Sequence, residues 1–192
     1  MLSQLRPAII MVALFTFLLG VAYPFAVTGV AQLVFPSQAN GSLIRDEQGQ
    51  VVGSALIGQP FAEARYLHPR PSAAGDGYDA SASSGSNLGP LSPVLATRIK
   101  TDADAIRAET GAIVIPVDAV TTSASGLDPH ISPAYARLQA ARVARARGID
   151  VAAVQQVIDR NTEGALLGFI GQPRVNVLLT NRALDARFPA AT

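Results

Sequence analysis

Residues 8–35 read AIIMVALFTFLLGVAYPFAVTGVAQLVF, a stretch without Asp, Glu, Lys or Arg. A helix needs about 20 apolar residues to cross the hydrocarbon core of a bilayer, and this run is longer. The run predicts a transmembrane helix, which Pro24 is expected to kink. A cleaved signal peptide is the competing interpretation, with Arg6 as its charged region and 29–31 (Gly-Val-Ala) as its cleavage site. The apolar run is longer than a usual signal peptide core, which favours a retained anchor.

The span divides the chain into a tail (residues 1–7), a transmembrane helix (8–35) and one soluble domain (36–192). Arg6 is the only charged side chain before Arg45, and the remaining chain carries 14 basic and 14 acidic residues. Because positive charge marks the cytoplasmic flank of a span, the N-terminus is expected in the cytoplasm. The domain is then expected on the periplasmic or extracellular side of the cell (inner) membrane.

Composition excludes several classes of function. The net charge of +1 excludes a nucleic-acid-binding protein built on positive charge. The absence of cysteine excludes a disulfide framework and a thiol nucleophile, and two histidines do not make a His-rich metal centre. The one lysine, Lys100, follows no glycine-rich loop and no aspartyl-phosphate motif, so the chain is not expected to hydrolyse ATP. No G-x-S-x-G elbow occurs either.

Three helices are predicted from their end signals. Ser-Pro at 92–93 and at 132–133 places an N-cap before a proline at the first helical position. Gly111 and Gly148 are expected to end these two helices. Asp150 caps a third helix, in which valine and isoleucine recur at helical spacing.

Strands are predicted between the helices. Apolar pairs at 43–44 and 51–52 flank a turn and indicate a hairpin. The apolar run 112–120 predicts a buried strand or strand pair, and 175–179 predicts another strand, followed by a short helix at 181–187. Because strands and helices alternate, the fold class is expected to be α/β, as one mixed domain behind the N-terminal helix.

Two polar loops are the candidates for function. Residues 68–93 are rich in Ser, Gly, Ala and Pro, which is typical of a flexible linker or of an ordered functional loop. Residues 120–133, VTTSASGLDPHISP, lead into a helix N-terminus, where backbone amides and the helix dipole favour an anion. A structural loop that caps the helix is the favoured alternative.

A hydrolase built on the second loop is a further alternative. Asp128 and His130 supply two members of a Ser-His-Asp set, and Ser123 or Ser125 would be the nucleophile. These residues lie too close together in the sequence for the usual arrangement, so catalysis by this set is disfavoured.

The ordered motifs resemble the KdpC family, the C subunits of bacterial Kdp potassium-transporting P-type ATPases. The resemblance covers essentially the whole chain and is most specific at SGLDPHISP followed by Q-x-x-R-V-A. The matching motifs are the N-terminal span, GSLI (41–44), VGSALIGQPF (52–61), RPSA (70–73), GSNLGP (85–90), VTTSASGLDPHISP (120–133), Gln139 with ARVARARG, and VNVLLTN (175–181).

This resemblance implies a single-span, non-hydrolysing subunit. Its partners would be a channel-like potassium-binding subunit, an ATP-hydrolysing P-type subunit and membrane lipid. It implies a catalytic chaperone that raises the ATP affinity of the hydrolysing subunit, with ATP bound jointly with that partner. Carried over, the nucleotide-contacting residues are Gln139, Ser123, Ser125 and Gly126. The residues expected to form a structural or interface motif are Asp128, Pro129, His130, Gly85, Ser86 and Asn87.

The charge pattern and the implied ATP contact point to opposite sides of the membrane. ATP lies in the cytoplasm, whereas the charges place the domain outside. The alternative role is therefore an assembly subunit that caps the potassium entrance on the outer side and contacts no nucleotide. Ala13, Gly20, Ala22 and Ala26 in the span would allow close approach of partner helices.

Overall fold

The computed structural model describes residues 2–189, and a long helix opens the chain. A 3₁₀ turn (Leu2–Gln4) leads into α1 (Leu5–Phe17), a π-helical turn (Leu18–Ala22) and α2 (Tyr23–Val34). The 30-residue helix Leu5–Val34 is long and apolar enough to cross a membrane. None of its residues is buried by the rest of the described chain. A largely apolar helix that no protein covers is typical of a membrane span, which lipid surrounds.

The segment after this helix turns sharply. A one-turn helix α3 (Pro36–Ala39) precedes the predicted hairpin, formed by β1 (Leu43–Arg45) and β2 (Val51–Ser54). Oδ1 of Asp46 accepts the amides of residues 48 and 50 at 3.0 and 2.8 Å, which fixes the turn. The contacts divide the chain inside β2: one unit ends at Val52 and the second begins at Gly53.

Three helices of the second unit begin where the sequence predicts, and the first two also end at the predicted glycine. They are α4 (Pro93–Thr110), α5 (Pro133–Arg147) and α6 (Val151–Arg160). The side chain of each N-cap, Ser92, Ser132 or Asp150, accepts a backbone amide of the first turn. Gly111 and Gly148 close α4 and α5 with φ of 69° and 65°, a left-handed conformation that glycine adopts without a Cβ penalty.

A small antiparallel sheet lies beside these helices, in the order β3-β5-β4. Its strands are β3 (His130–Ile131), β4 (Thr162–Glu163) and β5 (Arg174–Asn176), and α7 (Val177–Arg187) follows β5 directly. The core of this unit lies where α6 packs against both α5 and α7. Each fully buried Val or Leu side chain contributes roughly 2 kcal/mol to its stability. Its fully buried members include Leu67, Val143, Val154, Ile158, Val175 and Leu184.

Two strand predictions are wrong. Residues 112–120 form no strand: Ile113 and Val114 are 89% and 81% exposed, and a 3₁₀ turn covers Val117–Ala119. Pro116 has no amide to give to a ladder, so the run forms an exposed connection and only its end is buried. The predicted strand 175–179 stops at Asn176, which is the N-cap of α7: its Oδ1 accepts the amide of residue 179 at 3.1 Å. Helix α7 therefore begins at Val177, four residues before the predicted start at 181.

Candidate functional site

The motifs that looked separate in the sequence meet in space. We call residues 70–78, 83–85 and 121–130 the loop cluster. The amide of Ser84 donates to the carbonyl of Ser125 at 3.0 Å, and the hydroxyl of Ser72 donates to the carbonyl of Gly126 at 2.7 Å. The amide of Gly58 donates to the carbonyl of Leu127 at 2.8 Å. Segment 68–93 is therefore an ordered loop that packs on residues 123–127, and the linker interpretation is wrong.

Glycine is required where these loops cross. Gly126 has φ of 67°, and a Cβ there would lie 2.6 Å from the carbonyl oxygen of Ser84 and 2.7 Å from the nitrogen of Ala74. A Cβ on Gly58 would lie 2.8 Å from the carbonyl oxygen of Asp128. Real Cβ atoms do not approach backbone this closely, so the close contact of three backbone segments explains these glycines.

Asp128 is the charged centre of the loop cluster. Its Oδ2 lies 3.1 Å from Nη1 of Arg70, and its Oδ1 accepts the amide of His130 at 3.0 Å. Burial alone would raise the pKa of the Asp128 carboxyl, but the hydrogen bonds from the side chain and backbone of His130, with the charge of Arg70, lower this pKa overall. The guanidinium of Arg70 also reaches the carbonyls of Thr121 and Thr122, both at 3.3 Å. An ionised carboxylate thus holds the loop cluster together.

The start of α5 already faces an anion that the chain itself supplies. Asp118 accepts the amide and the hydroxyl of Ser132, at 2.6 and 2.8 Å. The carbonyl of Pro129 accepts the amide of Val177, the residue that follows β5. In this antiparallel register, the amides of His130 and Ser132 point away from β5. Asp128 and Asp118 therefore cap the free edge of β3, and a phosphate at the N-terminus of α5 would meet the negative charge of Asp118.

Gln139 is buried and bonds to main chain. Its side chain is 5% exposed; its Oε1 accepts the amide of His68 at 2.7 Å and its Nε2 donates to the carbonyl of His68 at 3.0 Å. Asn181 of α7 pairs in the same way with the preceding residue, Leu67, at 2.7 and 3.0 Å. We call these four residues the amide clasp. Nη2 of Arg142 donates to Gln139 as well, at 2.6 Å.

The predicted nucleotide-contacting residues occupy two separate places. Ser123, Ser125 and Gly126 belong to the loop cluster, where the two hydroxyls lie 3.4 Å apart and Ser125 is exposed. Gln139 bonds to His68 and Arg142 instead. The predicted interface residues also divide. Gly85 packs on the backbone of Ala124, whereas Asn87 is exposed at a φ of 51°, and Ser86 lies between them.

The hydrolase geometry is not formed in the part of the chain that the structure describes. The His130 ring lies against Asp128, with Nδ1 and Oδ1 3.4 Å apart, but neither Ser123 nor Ser125 is hydrogen-bonded to that ring within residues 2–189. Over the same range no group of three His, Cys, Asp or Glu side chains is arranged to hold a metal ion.

Sequence reasoning missed the residues that hold these loops. Arg70, Asp118 and Asn181 were not selected, although Arg70 lies in RPSA and Asn181 ends VNVLLTN. Motif membership was the available signal for Arg70 and Asn181, whereas Asp118 lies in none of the quoted motifs. It was insufficient because their partners are 14 to 114 residues away along the chain.

The fold and the site define a single-pass, membrane-associated protein in which one apolar helix precedes an α/β domain with densely cross-bonded loops. The family model described as "KdpC: K+-transporting ATPase, c chain" matches residues 5–186. A potassium-transporting ATPase KdpC subunit of Caulobacter sp. (strain K31) is 71% identical over 190 residues, covering 99% of this chain and 97% of the relative. Those of Caulobacter vibrioides (strain NA1000 / CB15N) and Koribacter versatilis (strain Ellin345) are 68% and 50% identical. They cover 98% and 100% of this chain, and 96% and 99% of their own lengths.

The chain belongs to the KdpC family. It is a subunit of a potassium-transporting ATPase, and the other subunits of that complex are its partners.

Proposed function

We propose that this chain is a non-hydrolysing accessory subunit that stabilises the transport complex and raises the apparent ATP affinity of the ATP-hydrolysing subunit. The observation that carries this proposal is the family match over residues 5–186. A chain without a P-loop lysine or an aspartyl-phosphate motif fits a subunit that acts on a hydrolysing partner. Its direct partners are proposed to be the potassium-binding subunit and the ATP-hydrolysing subunit.

The geometry favours an indirect effect on ATP affinity. Gln139 already bonds to main chain with both ends of its amide, and Asp118 occupies the N-terminus of α5. A nucleotide that contacts Gln139 would therefore displace His68, and one at the start of α5 would face the negative charge of Asp118. A subunit can change ligand affinity without contact if it favours one conformation of its partner. The N-terminus is proposed to lie in the cytoplasm and the domain outside the inner membrane. On that outer side the domain would cap the potassium entrance.

Direct nucleotide contact by Gln139, Ser123, Ser125 and Gly126 is the competing proposal. It requires the domain to face the cytoplasm and the Gln139 amide to leave His68. Ser125 is exposed, and although its hydroxyl oxygen accepts the amide of Leu127 at 3.1 Å, it is the group best placed to meet a ligand without such a change.

Assembly through the domain is supported by an apolar loop at residues 164–173. Leu167 and Phe169 are each 77% exposed at its tip, and the ion pair between Glu163 and Arg174, 2.8 Å, closes its base. A protruding apolar tip of this kind is typical of a protein contact surface. We propose that it packs against another subunit.

The amide clasp allows a test that separates the two proposals. ATPase activity of the whole complex is measured against ATP concentration with wild-type chain, without the chain, and with Gln139→Ala or Asn181→Ala. Omission of the chain should raise the ATP concentration needed for half-maximal activity, and no change would refute an affinity role. If the effect is indirect, both variants shift this concentration similarly, since both loosen residues 67–68. If Gln139 contacts nucleotide, only Gln139→Ala shifts it.

The side of the membrane is tested by protease protection of residues 72–89 in vesicles of both orientations. Cleavage from the outer side only is expected. Cleavage from the cytoplasmic side would overturn the cap and favour direct contact.

A further inference from the structure

The N-terminal helix changes its hydrogen-bond register in its middle. In the π-helical turn Leu18–Ala22, the amide of Tyr23 donates to the carbonyl of Leu18, five residues back. The carbonyl of Leu19 would next bond to the amide of residue 23 or of residue 24. The amide of Tyr23 already donates to Leu18, and residue 24 is a proline, which has no amide hydrogen. Within the described helix, the carbonyl of Leu19 is therefore left with neither its α-helical nor its π-helical backbone donor. The carbonyl of Gly20 loses its α-helical donor at Pro24 for the same reason.

This unpaired acceptor lies deep in the span. Leu19 is 13 residues from Arg6 and 13 from Gln32, which is about 20 Å in each direction at ~1.5 Å per residue. The hydrocarbon core is about 30 Å thick, so Leu19 lies near its centre. Water is absent there, and lipid tails donate no hydrogen bonds.

A second polar group lies on the same face. Tyr23 is one turn from Leu19, its side chain is 63% exposed, and its hydroxyl makes no hydrogen bond within residues 2–189. Helical side chains lean towards the N-terminus, so this phenol leans towards the level of Leu19. The hydroxyls of Thr16 and Thr28, the remaining hydroxyl donors of the span, form no hydrogen bond in the described chain either.

An apolar groove continues this face along α2. It is lined by Tyr23, Ala26, Val27, Val30, Ala31 and Phe35. Its occupant must bring both an apolar surface and a hydrogen-bond donor at the depth of Leu19. Lipid supplies only the first of these, whereas a transmembrane helix with a hydroxyl or amide side chain supplies both.

We infer that the carbonyl of Leu19 and the hydroxyl of Tyr23 form the docking point for a transmembrane helix of another subunit. That helix carries a Ser, Thr, Asn or Gln side chain at the level of the π-helical turn and packs into the groove of α2. The inference rests on membership in the transport complex and not on the proposed effect on ATP affinity.

The test uses the full-length chain, tagged and co-expressed with the other subunits, and measures the amount of each partner subunit recovered in detergent per tagged chain. Tyr23→Phe removes the hydroxyl and keeps the ring, and Pro24→Ala returns the missing amide. Each is expected to weaken association about three- to tenfold, the range for one hydrogen bond between membrane helices. Phe25→Leu, on the opposite face, and Pro36→Ala, beyond the span, are matched controls that should leave recovery unchanged.

A photo-crosslinking phenylalanine analogue identifies the occupant even if a variant assembles poorly. Placed at position 23, it should crosslink to a membrane-spanning segment of another subunit, whereas at position 25 it should crosslink to lipid. Crosslinks from position 23 to lipid alone or to a second copy of this chain would overturn the inference, as would unchanged recovery of both variants. Loss of recovery with an unchanged ATP response would support the docking point and count against the affinity role.

Discussion

Removing the Gln139 side chain should release the main chain of residue 68 from α5. In Gln139→Ala the amide and carbonyl of His68 lose partners at 2.7 and 3.0 Å. A buried polar group left unpaired costs about 1–3 kcal/mol, and His68 is half-buried, so water recovers part of the loss. We expect a total of about 3 kcal/mol, which is roughly a hundredfold shift in the opening equilibrium of this segment.

Hydrogen exchange followed by mass spectrometry on the full-length chain in detergent measures this opening directly. Peptides that contain residues 67 and 68 should exchange roughly a hundredfold faster in the variant. Thermal unfolding followed by circular dichroism should shift downward by roughly 10 °C. Gln156→Ala is the matched control, because Gln156 is an exposed glutamine on α6 and should change stability by less than about 0.5 kcal/mol. Unchanged protection of these peptides in Gln139→Ala would refute the amide clasp.

Three further predictions test the loop cluster and its surroundings. Gly126→Ala should destabilise the fold far more than Gly148→Ala, because a Cβ at 126 meets backbone at 2.6 Å while one at 148 meets nothing within 4 Å; comparing the two urea midpoints checks this. Burial and then the charge of Arg142 lower the pKa of His68 below its ordinary 6.5. As the pH falls, His68 is protonated in the unfolded chain before it is protonated in the folded chain. The free energy of unfolding should therefore be highest above about pH 6.5 and fall as the pH drops towards the folded pKa. His68→Gln should flatten that dependence in unfolding curves between pH 7.5 and 5.5. Asp118→Asn should weaken the start of α5, because it removes the charge that accepts from Ser132; faster amide exchange in residues 132–136 would show it, and unchanged exchange there would contradict it.

Local signals in the sequence were sufficient for the helices that have strong ends. A serine or aspartate N-cap and a C-terminal glycine act through bonds within one turn. Both ends of α4 and α5 and the start of α6 could therefore be predicted to within a residue. The hairpin at 43–54 was predicted for the same reason, since Asp46 closes its turn locally. The family resemblance was likewise available from motifs read in order, and the family match confirmed it.

Strand pairing and site geometry depended on distant partners. The apolar run 112–120 was predicted to form a buried strand. An apolar segment becomes a strand only if it pairs with a neighbouring strand. Pro116 lacks an amide for such pairing, and the run pairs with no strand of the described sheets. The division of 175–179 between β5 and α7 was missed because Asn176 acts both as a strand residue and as a cap.

The sequence by itself determined the long apolar helix, because the uncharged run 8–35 needs no partner elsewhere in the chain to define it. It also determined both ends of α4 and α5 and the start of α6, which are set by bonds between residues close together in the sequence. Only the tertiary structure decided what the polar motifs do. Gln139 looks the same in the sequence whether it faces a ligand or holds residue 68, and the difference arises from a main-chain segment 71 residues away that folding brings to within 2.7 Å of its amide.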